Sequence, residues 1–315
     1  MPKVSILIPC YNAERWVAQA IQSALDQTYG EKEVIVVDDG STDGSLEIIK
    51  SFDDKICWET GPNRGGNVAR NRLLELATGE WLQYLDADDY LRPEKIERQL
   101  EQIADDVDVV YSAPLIETWN ETGIVASTVG NIDFDASIET QWIRWQLAQT
   151  GTVLWKAGSL KQIGGWNENY PCCQDNEVTL RAIQQGLVFK AVSYSDAVYR
   201  IWSEETVCRK DPSRVIHTKT KLIDEMLDWL RDNQKLEKET KEAAGQAFFE
   251  MARTLAQHDM QAATKYQRKQ SNKGIYSPNG PAAPAVYRIV HRFLGFRSAE
   301  YTATVKRIFS NEKTK

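Results

Sequence analysis

The sequence predicts an α/β fold: a mostly parallel sheet flanked by helices, followed by a C-terminal helical annex. Two observations carry this. Short, nearly continuous apolar runs begin at Val4, Val34 and Trp81, and helical patterns alternate with them, which is the signature of parallel strands joined by right-handed crossovers. From about Val215 the pattern changes to long amphipathic stripes carrying many charges.

Val4-Ser5-Ile6-Leu7-Ile8 reads as a buried parallel strand ended by Pro9. From Ala13 to about Gln27, Trp16, Val17, Ala20, Ile21, Ala24 and Leu25 recur at helical spacing, and Gly30 closes the segment. Val34-Ile35-Val36-Val37 is the second strand. It runs into Asp38-Asp39-Gly40-Ser41-Thr42-Asp43, where Thr42 or Asp43 can cap a helix carrying Leu46, Ile48 and Ile49. A weaker third strand surrounds Ile56-Cys57-Trp58. After Gly61-Pro62-Asn63 and Gly65-Gly66, a helix through Ala69, Leu73, Leu74 and Ala77 leads to the strand Trp81-Leu82-Gln83-Tyr84. Between Ser112 and Thr150 the signal blurs. Trp119, Trp142 and Trp145 there could form a platform for a sugar ring or pack a helix face on the sheet. In the annex, Leu222, Ile223, Met226, Leu227 and Leu230 form one stripe, and Ala247, Phe248, Met251 and Leu255 another. We place the domains at 1–213, in halves 1–112 and 113–213, and at 214–315.

At 315 residues and 42% hydrophobic content, the chain can build a large α/β domain and a smaller annex. Its net charge of −7 argues against nucleic-acid binding, which demands a basic surface. The five cysteines, Cys10, Cys57, Cys172, Cys173 and Cys208, are odd in number and include no CxxC pair, so reduced thiols and a cytoplasmic location are expected. No targeting pattern and no membrane-spanning run is visible.

The run Leu85-Asp86-Ala87-Asp88-Asp89 places three carboxylates within four residues at a strand end. Crowded like charges need a cation or backbone N–H donors to neutralise them. Mg²⁺ and Mn²⁺ are commonly shared between one or two carboxylates and a substrate's phosphates. The competing reading is local, with Asp88 or Asp89 capping the helix that Pro93 announces. In an open parallel sheet, ligands bind outside the carboxyl ends of the strands. Three strand ends here carry polar clusters: Pro9-Cys10-Tyr11-Asn12, Asp38-Asp39 and Asp86-Ala87-Asp88. The first turn lacks GxGxxG and the chain has no GxxxxGK[ST], which removes dinucleotide and P-loop readings.

These clusters, with Asn63 to Asn71, Gly164-Gly165-Trp166-Asn167-Glu168 and Gln174-Asp175-Asn176-Glu177, resemble the family 2 glycosyltransferases to about residue 205. The resemblance implies a GT-A fold, a nucleotide-sugar donor (UDP-sugar foremost), Mn²⁺ or Mg²⁺, a saccharide or lipid-linked acceptor, and inversion at the anomeric carbon. By position, Pro9, Tyr11 and Asn12 would line the base and ribose pocket, and Asp39 would accept the base N–H. Arg70 would sit near the nucleotide, Asp86 would hold ribose or sugar with Ala87 beside it, and Asp88 would ligate the metal. Asp38 and Asp43 are expected to serve the turn. Asp175 would be the general base, its alternative being a helix N-cap.

Two departures from the family pattern stand out. Gln174 replaces an acid before Asp175, which should lower the base's pKa slightly relative to an acidic pair. The segment Tyr199-Arg200-Ile201-Trp202-Ser203 lacks the histidine often found after the Tyr-Arg pair, so metal binding would lean on the donor's own phosphates. Two other readings compete: a sugar-phosphate nucleotidyltransferase, against which the lack of glycines between Cys10 and Arg15 counts, and a catalytically degenerate carbohydrate-binding protein. In the last segment, Arg288, Arg292, Arg297, Lys306 and Arg307 interleave with Val286, Ile289, Val290, Phe293, Leu294 and Phe296. That pattern suits either peripheral contact with an anionic membrane or docking of the apolar face on the protein.

Overall fold

The computed structural model describes residues 1–147, 149–202 and 211–311, with side chains to Lys306. Ser203, Cys208 and the Arg307 side chain lie outside the described residues. The chain divides into two compact units, Met1–Thr206 and Val207–Lys315.

The first unit begins β1 (Val4–Cys10), α1 (Val17–Leu25), β2 (Lys32–Asp38), α2 (Ser45–Lys50), β3 (Cys57–Thr60), α3 (Gly66–Leu76) and β4 (Trp81–Tyr84). It continues β5 (Tyr90–Leu91), α4 (Lys95–Leu100), β6 (Val109–Ser112), β7 (Leu115–Asn120), β8 (Gly123–Val129) and α5 (Ile138–Ile143), then β9 (Val153–Lys156), α6 (Ala157–Gln162), α7 (Gln174–Gln184), β10 (Phe189–Val192) and β11 (Ala197–Ile201). A seven-stranded sheet has the order β10-β6-β9-β4-β1-β2-β3, and a four-stranded sheet the order β5-β11-β7-β8. β1 pairs in parallel with β2 and β4, and β2 with β3, as alternating strands and helices require. β9 is the antiparallel member, joining β4 to β6.

Burial on both faces explains the apolar runs, since Val4, Ile6, Leu7 and Ile8 of β1 are fully buried. Proline is tolerated at Pro9 because β4 stops pairing with β1 at Leu7, leaving no ladder bond for its missing N–H on that side. Register sets the site. Cys10 lies opposite Asp38, Asp38 opposite Thr60, and Leu7 opposite Tyr84, so the segments after β1, β2 and β4 leave the sheet at one edge.

Two local expectations change. The first helix starts at Val17 instead of Ala13, because Ala13 N–H donates to Ser45 Oγ at 2.8 Å and Glu14 N–H to Asp43 Oδ2 at 3.0 Å. Those bonds fasten the chain after β1 to the loop after β2 before the helix begins. The segment after Pro93 forms α4 without a side-chain cap, so Asp88 and Asp89 have other duties.

The second unit is helical: Pro212–Asp232, Lys238–Ala256, Met260–Asn272 and Ala285–Asn311, the last bent at Gly295. Asp211 and Asp259 accept N–H bonds at the starts of the first and third of these helices. Leu222, Ile223, Met226, Leu227, Leu230 and Phe248 are buried, as the stripes predict. Among the described residues no helix is long and apolar enough to cross a membrane.

The loop after β2 turns at Gly40, whose φ is +74°, and a Cβ there would lie 2.6 Å from Asn63 N and 2.9 Å from Gly61 O. Left-handed backbone costs an L-residue about 1–2 kcal/mol and overpacking roughly 1–3 more. We expect Gly40→Ala to destabilise the first unit by about 2–5 kcal/mol in urea unfolding. Gly30→Ala, with open space around its Cβ, should stay within about 0.5 kcal/mol. Equal midpoints for the two variants would refute this packing of the loop.

Candidate active site at the carboxyl edge of the sheet

The loop after β1 is tied to the loop after β2. Asn12, with φ of +48°, donates its backbone N–H to Ser41 Oγ at 2.9 Å and accepts from Thr42 N–H at Oδ1 at 2.8 Å. Glu14 Oε2 accepts from Gly44 N–H at 2.8 Å. Tyr11 is left half exposed at the rim, and Pro9 is partly buried beneath it in the chain. Asp38 serves the turn, accepting from Ser41 N–H and from the Thr60 hydroxyl at 2.7 Å. Asp43 does likewise with Ser45. Burial beside Asp38 pushes the Cys10 thiol up to about 12, so it is not a nucleophile.

Asp39 is buried, and its two oxygens accept from Arg64 N–H at 2.7 Å and Gly65 N–H at 2.8 Å. Its charge therefore faces the amino end of α3, where helix N–H groups lack partners. Each carboxylate oxygen keeps a second lone pair for another donor.

Arg70 leaves α3 and stands between the two halves of the unit. Its guanidinium pairs with Asp86 Oδ1 at 2.7 Å, donates to Gln174 Oε1 at 3.0 Å, and lies 4.9 Å over the Trp166 ring. Burial pulls the pKa of this arginine down, but Asp86 and then Asp175 outweigh it and hold it above the ordinary value. Trp166 is set by Gly164 and Gly165, at φ +86° and +65°, and by Asn71, which accepts from Trp166 N–H and donates to Trp166 O. Asn67 donates to Asn167 O at 2.6 Å, and Arg181 pairs with Glu177 while donating to Gly165 O. The glycine-tryptophan loop is thus clamped from both α3 and α7.

Asp175 occupies the second position of α7 and does not cap it; Cys173 precedes the helix in the left-handed region. The Asp175 carboxylate accepts from the Thr150 hydroxyl at 2.8 Å. Burial raises its pKa to about 6, against the pull of Arg70 and the Thr150 bond and with a further push from Asp86. A carboxylate poised there can take a proton near neutral pH.

The strand end after β4 splits three ways. Asp86 faces Arg70. The Ala87 side chain packs into the hydrophobic core with Cys10 and Val17, leaving only its backbone for the cleft. Asp88 Oδ2 accepts from the Trp202 indole N–H at 3.1 Å, and burial together with Asp86 raises its pKa. Asp89 is buried, accepting from Arg200 N–H at 2.8 Å and the Gln149 amide at 2.9 Å.

Arg200 itself is buried, its guanidinium 4.0 Å over Trp16, 4.9 Å over Trp119 and 5.2 Å over Tyr90, while it donates to Asp88 O and Gln19. Trp202 packs beside Trp16 at 5.7 Å. Trp142 is buried, donates to Asn176 O and packs against Trp145. The tryptophans between Ser112 and Thr150 therefore pack.

Asp89 accepts at both oxygens, whereas Asp86 is paired with Arg70 through Oδ1 and Asp88 bonded to Trp202 through Oδ2, which leaves these two carboxylates lone pairs for a ligand or a cation. Among the described residues no group of three or more His, Cys, Asp or Glu side chains converges to hold a metal. A single carboxylate fits a Mg²⁺- or Mn²⁺-type ion that takes its other ligands from a diphosphate and water.

The structure brings Arg70, Asp86 and Asp175 into one linked cluster, and sets Tyr11, Asn12, Asp39 and Asp88 on loops at the same sheet edge. Thr150 and Gln149 join this framework without a local sequence signal, and Asn67 and Asn71, within the Asn63 to Asn71 motif, act as clamps. Thr150 and Gln149 sit in the blurred segment, and their partners lie 25 and 60 residues away.

Residues 5–155 match the family model for glycosyl transferase family 2. An uncharacterized glycosyltransferase of Haemophilus influenzae is 45% identical over 104 residues, 32% of this chain and 42% of that protein. A putative teichuronic acid biosynthesis glycosyltransferase, TuaG of Bacillus subtilis, is 40% identical over 104 residues, 32% of this chain and 41% of that protein. The matched segment thus spans about two fifths of these curated relatives. Among solved structures, S. aureus TarS 1–349 in complex with UDP superposes with a TM-score of 0.52 at 20% identity, covering 86% of this chain and 92% of that one. The mannosyltransferase PcManGT of Pyrobaculum calidifontis, in complex with GDP-Man and Mn²⁺, gives 0.53 at 16% identity, covering 98% and 88%. The fold is of GT-A type, and residues 5–155 form a glycosyl transferase family 2 segment.

Proposed function

We propose that the protein transfers a hexosyl group from a nucleotide sugar, a UDP-sugar foremost, to an acceptor hydroxyl with inversion at the anomeric carbon, in polysaccharide or glycoconjugate synthesis. The observation that carries this reading is the pairing of a half-buried Asp175, its pKa near 6, with a strand-end carboxylate run on the same side of the sheet. The UDP and UDP-GlcNAc complexes of TarS support the donor class, the Mn²⁺ complex of PcManGT supports a divalent ion, and the name of TuaG supports a polysaccharide role.

In this reading the nucleotide lies along Pro9, Tyr11, Asn12 and Asp39, where Tyr11 is free to stack and Asp39 has lone pairs for a base N–H. Asp86, steadied by Arg70, accepts hydroxyl donors from ribose or sugar. Asp88 would hold Mn²⁺ or Mg²⁺, which when bound supplies positive charge to the diphosphate as it departs. Asp175 accepts the proton of the acceptor hydroxyl while that oxygen bonds to the anomeric carbon from the face opposite the diphosphate. The bond from the anomeric carbon to the diphosphate oxygen breaks, and its electron pair leaves with the nucleotide. The saccharide or lipid-linked acceptor would enter from the side of the cleft walled by Trp166 and the head of α7.

Asp88→Asn should leave the thermal midpoint near the wild type and weaken Mn²⁺-dependent UDP binding at least about tenfold, or 1.4 kcal/mol, by calorimetry. A mutant that binds UDP with Mn²⁺ as tightly as the parent would remove Asp88 from the metal.

Asp175→Asn should slow sugar transfer by about 10²–10⁴-fold while changing UDP affinity less than about twofold, because the base acts on the acceptor. Parental turnover, or an equal loss of UDP affinity, would place the base elsewhere.

A further inference from the structure

The last helix uses one face for packing and leaves a different apolar face bare. Tyr287 and Ala299 are buried with Phe249 and Ala283, and Phe296 is buried beside His291. The Tyr287 hydroxyl and Arg253 both donate to Glu300 Oε1 at 2.7 Å, and His291 stacks against Tyr276 and Tyr287. That docking is complete without Val286, Ile289 and Phe293, which follow helical spacing along another side and are 64%, 59% and 75% exposed. Leu294 adds a fourth apolar side chain, 69% exposed. Lone exposed apolar residues are ordinary on a protein surface, but a continuous stripe is not.

Backbone and charge give the stripe its character. Gly295 has φ +82° and ψ 175°, a conformation open essentially to glycine alone, and it bends the helix immediately after Phe293 and Leu294. These two exposed side chains therefore lie immediately before the bend. From Gly274 through Ala299 the sequence contains no Asp or Glu, whereas Arg288, Arg292 and Arg297 are exposed around the stripe. This basic stretch belongs to a chain whose net charge is −7. A second copy laid on the same face would set arginines against arginines. A surface with phosphate charges over a hydrocarbon interior answers both halves of the pattern.

We propose that this face binds an anionic phospholipid bilayer, with Phe293 and Leu294 entering among the acyl chains and Arg288, Arg292 and Arg297 meeting lipid phosphates. Binding of this kind is independent of sugar transfer and of the donor site.

The test uses the full chain and sedimentation with phosphatidylcholine vesicles, with and without phosphatidylglycerol. At low salt the protein should sediment with the anionic vesicles, stay largely in solution with the neutral ones, and be released as salt screens the phosphates. Phe293→Ser with Leu294→Ser should weaken vesicle binding about tenfold or more. Each of Arg288→Gln and Arg292→Gln should weaken it about fivefold at low salt. Retained circular dichroism and UDP affinity report that these exposed substitutions leave the fold intact. No binding to anionic vesicles at low salt would overturn the proposal, as would undiminished binding by the serine pair. Dimers in light scattering that the serine pair dissolves would also overturn it, by assigning the face to a second copy.

Discussion

The site depends on a buried positive charge. Arg70 is carried by α3, yet its partners come from the end of β4 and the head of α7: Asp86 at 2.7 Å, Gln174 at 3.0 Å, and Asp175 through its field. A guanidinium out of water needs anions, and two half-buried carboxylates side by side need a cation, so each secures the others' place. Removing one member of such a group costs about 3–5 kcal/mol because an uncompensated charge stays behind. The Trp166 ring under Arg70, the glycine pair that turns it inward and the asparagines that clamp it follow from the same requirement.

A second buried arginine organises the other wall. Arg200 lies within a box of Trp16, Trp119 and Tyr90, and its backbone N–H fixes Asp89. Asp89 in turn holds Gln149, whose neighbour Thr150 donates to Asp175. The carboxylate run after β4 is thereby joined to α7 along two routes, one through Arg70 and one through Gln149 and Thr150. Where family members often place a histidine, Trp202 donates to Asp88. An indole N–H can donate but cannot ligate, so any cation at Asp88 must draw its remaining ligands from the substrate and water.

Much of this was legible in the sequence. Apolar runs marked the strands because parallel strands are buried on both faces, and strand-end clusters marked the edge because register brings such ends together. What escaped depends on distant pairing. Asp39 reads as a ligand acceptor in the sequence, but the bonds from Arg64 and Gly65 that orient it, and that leave each oxygen a second lone pair, are announced by no local pattern. Thr150 carries no signal of its own, since its importance comes from a partner on another element. The start of the first helix moved by four residues because Asp43 and Ser45, across a loop, compete for its backbone N–H groups. The last helix was ambiguous between docking and exposure, and it does both on different faces, a distinction that interleaved residues cannot reveal.

In the proposed mechanism Asp175 is the base, and charge around Arg70 sets its ionisation. The most direct measurement is the pH dependence of kcat/KM for sugar transfer, in the parent and in Gln174→Glu. Only ionised Asp175 accepts a proton, and burial lifts its pKa to about 6, so the parent rate should fall as pH drops through about 6. A glutamate at 174 would add negative charge beside Arg70 and Asp175, so it should move that limb to higher pH. A limb that stays in place on this substitution, or one that lies in the ordinary carboxylate range in both proteins, would contradict the account.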